Sequence, residues 1–264
     1  MLIGSLGAGH IARALAEGWR RPGLEASWQP GLLVYDTDGA RSQAFADDFG
    51  ALACGGPAEL VAGSEVVVVA VRPPDVPAVL AEVGPLLGSR PLVSLAAFVT
   101  LDDLVAYLPA GAQAARVMPN VAAAVGRGVF LFAAGSLARP AADVVRRLFG
   151  LSGRVVDMPE TLFDVATAVA GCGPGFTALF VEALAQAGTS AGLEAGLATE
   201  LATATVAGAA ELAARDGDPV ALRASVATPG GMTAAGVEAL ESGDLRRLLA
   251  AAVEAAVERA KRGR

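Results

Sequence analysis

Short apolar runs alternate with stretches of helical period through the first half of the chain. Leu2 to Leu6, Leu32 to Tyr35, Val66 to Val71, Leu92 to Leu95 and Ala114 to Val117 each have the length and content of a buried strand. That rhythm predicts successive βαβ units and a parallel sheet. The run VVVVAV at 66–71 is apolar at every position, as expected of a strand covered by helices on both faces. Val129 to Phe132 and Arg154 to Val156 are further strand-like pieces. From about Glu160 the strands stop, and long helical patterns follow: ETLFDVATAVAG, FTALFVEALAQAG, LATELATATVAGAAELAA and DLRRLLAAAVEAAVERA. The pattern predicts an α/β chain, with a mostly parallel sheet domain over 1–159 and an all-helical domain over 160–264. The Ala- and Gly-rich stripes of the second half allow close helix packing, and a domain of about 100 residues cannot bury them all, so pairing with another copy is expected.

Composition narrows the classes. The chain has 264 residues and a formal net charge of −7, which argues against a nucleic-acid surface. Its basic clusters, Arg246-Arg247 and Lys261 to Arg264, read as solvated faces. No breaker-free apolar run of about 18 residues is present, and no cationic leader precedes the first strand, so a cytoplasmic protein without a membrane span is expected. Cys54 and Cys172 lie far apart without metal-ligand spacing, and are expected to be reduced thiols. No metal site is expected.

Chemistry first enters at LIGSLGAGHIARALAEG, where Gly7, Gly9 and Ala12 form G-x-G-x-x-A between a strand and a helix. Glycine at the first two positions permits a tight turn and close approach of a pyrophosphate, whose charge meets the helix N-terminus. A nucleotide-free glycine turn is the plain alternative. The second strand ends in Asp36, which either hydrogen-bonds an adenosine ribose, favouring NADH over NADPH, or caps the following turn. His10 and Ile11 lie within the loop. Arg72 follows the third strand at its carboxyl end, where doubly wound sheets bind ligands, although it fits a solvated position equally well.

A second glycine turn, TPGGMT, opens a helix late in the chain. Free backbone N–H groups and the positive dipole end there suit a carboxylate or phosphate, with Thr228 and Thr233 as added donors. An ordinary N-cap threonine is the alternative.

Taken together, GAGHIARAL, VVAVRPPDV, VSLAAFVTLDDL, RVMPNVAAAVGRG, DVATAVAGCGPGFTALFVEALAQAG and LRASVATPGGMTAAGVEALESGDLRRLLAAAVEAA make the chain resemble the pyrroline-5-carboxylate reductase family over almost its full length. TPGG-x-T is the most specific of these motifs. The resemblance implies a Rossmann domain followed by a helical domain that interleaves with a partner in a homodimer, larger rings of dimers being common. It implies NADPH or NADH as cofactor, pyrroline-5-carboxylate as substrate, proline as product, and an active site between cofactor and helical domains. By motif match Thr233 would be the catalytic, imine-contacting threonine. Thr228 and the backbone of Gly230, Gly231, Met232 and Thr233 would hold the substrate carboxylate. Asn120 would lie near the nicotinamide, and Gly7, Gly9, His10, Ile11, Ala12, Asp36, Ala70, Arg72 and Pro73 would complete the cofactor set. His10, Arg72 and Cys172 stand where the family usually has Asn, Lys and Ser.

Two counts bear on mechanism. The sequence has one histidine, His10, and one lysine, Lys261 near the end of the chain. Reduction of a ring imine needs only a hydrogen-bonding partner for a nitrogen that protonates near neutral pH. Hydroxy-acid dehydrogenases of similar organisation use a lysine in the helical half, where the one lysine here, Lys261, is expected to lie in a fraying tail. The expected function is NAD(P)H-dependent imine reduction; a related imine substrate or a non-catalytic dinucleotide-binding paralogue are the alternatives.

Overall fold

The computed structural model describes residues 1–25, 27 and 29–263, so Arg264 of the basic tail lies outside the described residues. Strands β1 (Leu2–Leu6), β2 (Gly31–Tyr35), β3 (Leu52–Ala53), β4 (Val66–Val69), β5 (Leu92–Ser94), β6 (Ala114–Met118), β7 (Gly128–Ala133) and β8 (Gly153–Asp157) join one sheet. Their order is β3-β2-β1-β4-β5-β6-β7-β8. Every pairing is parallel except that of β6 with β7. β1 lies between β2 and β4, with Leu6 level with Tyr35 on one side and Val69 on the other. Strand order reverses there, and the carboxyl ends of β1 and β4 open the crevice in which such sheets bind ligands.

Alternation along β4 shows why VVVV runs unbroken. Val66 and Val68 enter one buried cluster with Leu15, Trp19, Val34 and Phe149, while Val67 and Val69 enter the cluster on the opposite face with Leu60, Leu80 and Leu104. Burying each such side chain is worth roughly 1.5 to 3 kcal/mol. On the first face Trp19 also donates from its indole N–H to the carbonyl of Leu148 at 3.0 Å, so its polar edge is not stranded.

The structure adjusts several sequence boundaries. β4 ends at Val69 rather than Val71, because the chain turns at Ala70, whose N–H still donates to Leu6 at 2.8 Å. β3 was not expected: two residues at an edge carry no periodic signal. The stretch Glu160 to Gly171 is not one regular helix but a 3₁₀ turn, a single α turn and a π-helical turn at Thr167–Gly171.

Contacts divide the chain into two units, Met1–Cys172 with Val257–Arg264, and Gly173–Ala256. The sheet unit thus retains 160–172, beyond the expected division at 159. The physical reason is Phe163, which is fully buried with Leu131 and Ala133 of β7. The second unit contains helices Gly173–Ser190, Ala195–Asp216, Pro219–Val226, Met232–Ser242 and most of Leu245–Lys261. Among its described residues the buried apolar cluster is Ala185, Ala198 and Ala202, whereas Leu179, Leu201 and Leu248 remain 64%, 48% and 56% exposed. So small a core leaves much of the unit's apolar surface exposed, the kind of surface that marks interaction sites. The helical stretch Glu160–Ser190 is long and apolar enough, by length and composition, to cross a membrane. Its regularity is interrupted by the π turn and by the bend at Cys172 that precedes helix Gly173–Ser190.

Candidate active site

The first glycine loop has the geometry its sequence requires. Gly7 holds φ of +105°, and a β-carbon there would lie 2.7 Å from the carbonyl oxygen of Ala70, so a side chain is excluded by both backbone and space. Gly9 is the N-cap of the helix His10–Arg20, with no side-chain cap and no acidic residue in the first turn. A β-carbon on Gly9 would meet nothing within 4 Å. With no side-chain cap and no first-turn carboxylate on the helix, and open space beside Gly9, the helix start fits a bound diphosphate. Ala12 is buried against the sheet, Ile11 is half-buried, and His10 is exposed at the helix start.

Asp36 sits one residue past β2, and its carboxylate is already engaged. Its two oxygens accept the N–H of Ala8 at 2.9 Å and of Asp38 at 3.0 Å, so it braces the first loop against the second. The caps-a-turn alternative is thereby met, yet each oxygen retains a lone pair for a ribose hydroxyl. Arg41 on the next helix pairs with Asp38 at 3.3 Å.

Ala70 and Pro73 flank the carboxyl end of β4, but the Arg72 side chain is 85% exposed and pairs with Asp75 at 3.0 Å. Asn120 differs from the expected nicotinamide contact in one respect: its buried carboxamide is committed to the protein. Its Nδ2 donates to Ala170 at 2.9 Å and its Oδ1 accepts from Val129 at 3.1 Å. Asn120 therefore ties β6 and β7 to the π turn that precedes Cys172.

In the second unit the loop at 228–233 is a tight turn. Gly231 donates to the carbonyl of Thr228 at 3.0 Å, and Gly230 holds φ of +76° behind Pro229, the arrangement of a type II turn. Gly231 is the N-cap of helix Met232–Ser242 without any side-chain cap, so the N-cap alternative for Thr228 and Thr233 is not met. Both threonines are exposed, and Met232 is 94% exposed. The first-turn N–H groups are left for an anion.

Sequence reasoning missed a buried pair. Arg116 on β6 is 3% exposed, donates to Glu160 at 2.8 Å and lies over the Phe163 ring at 4.8 Å. Glu160 also accepts the N–H of Leu101. An arginine inside an otherwise apolar strand was the available signal, since such a charge is buried only with a partner. Among the described residues no group of three His, Cys, Asp or Glu gathers to hold a metal.

A doubly wound parallel sheet, with an open glycine turn and uncapped helix start at its switch point, defines a dinucleotide-binding protein of the oxidoreductase type. Residues 2–98 match the family model described as "NADP oxidoreductase coenzyme F420-dependent", and residues 160–263 the one described as "Pyrroline-5-carboxylate reductase dimerisation". The chain is 37% identical to a pyrroline-5-carboxylate reductase of Pisum sativum over 98% of its own length and 94% of that protein. It is similar to the solved pyrroline-5-carboxylate reductase of Coxiella burnetii, with a TM-score of 0.89 and 29% identity over 98% of this chain and 97% of that one. It is also similar to the Plasmodium falciparum pyrroline carboxylate reductase with NADP bound, at a TM-score of 0.86 and 28% identity over 99% and 97% of the two chains. The chain belongs to the pyrroline-5-carboxylate reductase family.

Proposed function

We propose that the protein reduces 1-pyrroline-5-carboxylate to L-proline with NADPH or NADH. The observation that carries this reading is the uncapped start of helix Met232–Ser242 behind the Thr228–Gly231 turn, in a chain matched along nearly its whole length by relatives of that name. We keep the functional division at 1–159 and 160–264, which the dimerisation match beginning at residue 160 supports.

Gly7, Gly9, His10, Ile11 and Ala12 would hold the diphosphate, Asp36 the adenosine ribose, and Ala70, Arg72 and Pro73 the wall beyond the switch point, with Asn120 positioning rather than touching. The bound cofactor supplies hydride to the imine carbon. The N–H groups of Gly230, Met232 and Thr233 and the Thr228 hydroxyl hold the substrate carboxylate, the Gly231 N–H closing the turn that presents them, and the Thr233 hydroxyl accepts the hydrogen of the protonated imine nitrogen. The nitrogen brings its own proton, so no strong protein acid is needed. The residues fit that requirement: Lys261 is paired with Glu258 at 2.7 Å, and His10 lies in the dinucleotide loop.

The exposed apolar face of the helical unit is best covered by a second copy, giving a homodimer as the minimum assembly, with a ring of dimers the larger form. Two free thiols, Cys54 and Cys172, fit the reducing cytoplasm. The deciding experiment follows oxidation of NADH and NADPH by purified protein with pyrroline-5-carboxylate. Substrate-dependent oxidation yielding proline is expected; cofactor binding without turnover would favour a non-catalytic paralogue.

A further inference from the structure

Among the described residues two non-glycine positions hold a left-handed backbone, Phe98 with φ of 66° and Asp244 with φ of 63°. Asp244 is explained locally. It is a turn residue whose short carboxylate tolerates this region and pairs with Arg247 at 2.6 Å. Phe98 has no such compensation, and a bulky residue persists there only where its surroundings over-determine it.

The surroundings do so. Leu95, Ala96 and Val99 on either side of Phe98 are buried. Leu95 donates to Val69 at 2.9 Å. Thr100 closes a capping box with Asp103, and the next N–H, of Leu101, is held by Glu160. The loop is clamped at both ends, and its strained residue is half-buried.

Its position gives the strain a use. β4, β5 and β6 are adjacent and parallel, so the loop after β5 emerges between Ala70–Arg72 after β4 and Pro119–Asn120 after β6. A dinucleotide whose diphosphate rests on Gly9 and whose adenosine reaches toward Asp36 must send its other half across the switch point, over β4 to β6. The Phe98 ring is also where the segment Val257–Gly263 lands. The Arg259 guanidinium stands 5.8 Å from the ring centroid, and a β-carbon on Gly263 would meet the ring at 3.1 Å. The neighbouring Lys261 is spent on Glu258, whereas Arg259 has no carboxylate partner among the described residues.

We propose that Phe98 is a specificity-determining residue of the nicotinamide subsite: the clamped loop sets its ring, backed by Arg259 and Gly263, as the wall against which the dihydronicotinamide end of the cofactor is placed. This rests on the NAD(P)H-dependent reading above. It also assigns a role to the segment Val257–Gly263, which holds the ring in place from behind.

The test separates the two halves of the cofactor. NADH and ADP-ribose share adenosine, ribose and diphosphate, and only NADH carries the nicotinamide, so calorimetric titration of both reports the subsite without any turnover. In the full chain, Phe98→Gly is expected to weaken NADH by roughly threefold to tenfold, the scale of one aromatic contact, while ADP-ribose affinity stays within about twofold. Its melting temperature should hold or rise, because glycine accepts φ of 66° without strain. Phe98→Leu and Arg259→Ala should show smaller losses confined to NADH. If Phe98→Gly does not fold, the NADH-to-ADP-ribose ratio of Phe98→Leu decides by the same criterion. Equal changes for both ligands, or a change in stability alone, would overturn the assignment by making the ring a packing anchor only. Wild-type protein that binds neither NADH, NADPH nor ADP-ribose would overturn the oxidoreductase reading and this one with it.

Discussion

The side-chain amide of Asn120 donates to the carbonyl of Ala170 at 2.9 Å, joining the end of β6 to the one π-helical turn among the described residues. A π turn leaves backbone groups out of register, and such turns concentrate at functional sites. Here a side chain from the sheet satisfies one of them. Asn120→Ala would strand both Ala170 and Val129, and a loss of about 1 to 3 kcal/mol is expected from one buried unsatisfied group alone. Urea midpoints of wild type and variant measure it; an unchanged midpoint means that water replaces the carboxamide.

The Arg116–Glu160 pair predicts a different pattern. Removing one partner leaves the other charge in a poor environment, and with Glu160 23% exposed the cost should sit near the lower end of the buried range, about 3 kcal/mol. Glu160→Gln and Arg116→Met should each lower the melting temperature. The double variant Arg116→Met/Glu160→Leu should recover part of the loss, since no lone charge remains. A double variant as unstable as the sum of the singles would show that the two do not act as a pair.

On the proposed assignment, in which the 228–233 turn holds the substrate, its two threonines should fail differently. Thr233→Val removes a contact at the reacting centre and should lower kcat, whereas Thr228→Val removes a ground-state anchor and should mainly raise KM. Loss of a hydrogen bond to a charged group predicts effects of about tenfold to a hundredfold. Gly231→Ala is a structural companion: its β-carbon would lie 2.7 Å from the Thr228 hydroxyl oxygen, so that hydroxyl must shift and KM should rise. Wild-type constants in all three variants would make the turn an ordinary helix start.

The ribose role proposed for Asp36 predicts a cofactor preference. A carboxylate beside the adenosine ribose repels a 2′-phosphate, so Asp36→Ser should shift the ratio of kcat/KM values toward NADPH by about tenfold, the scale of one screened charge interaction. The same change frees the N–H groups of Ala8 and Asp38, so weaker binding of both cofactors should accompany it. A ratio that does not move would leave Asp36 as the brace between two loops and nothing more.

Burial, and secondarily the charge of Glu59, push the Cys54 thiol above its ordinary range. With the folded value raised, the thiol form is favoured by folding. Its contribution to stability is present below the unfolded cysteine pKa and is lost as pH rises through the folded one. In a Cys172→Ala variant, a disulfide reagent at pH 8 should therefore leave Cys54 unmodified until denaturant is added. Rapid labelling of the native protein would contradict this.

By itself the sequence determined the class of fold, the order of the sheet and helical halves, and both glycine turns. Each of these is local: a buried parallel strand reads as a run of apolar residues, and a turn needing positive φ or an open helix start reads as glycine. Gly7 and Gly230 are legible for that reason. The tertiary structure decided what depends on partners distant along the chain. Asp36 holds Ala8 across 28 positions, Asn120 holds Ala170 across 50, and Arg116 reaches Glu160 across 44. Nothing in the immediate neighbourhood of Asp36 or Asn120 marks them as a brace or a tie, and the apolar strand around Arg116 signals a buried charge without naming Glu160 as its partner. Which partner satisfies a buried polar group is set by the packing of elements that meet only when the sheet closes, and so it is fixed by the folded chain as a whole.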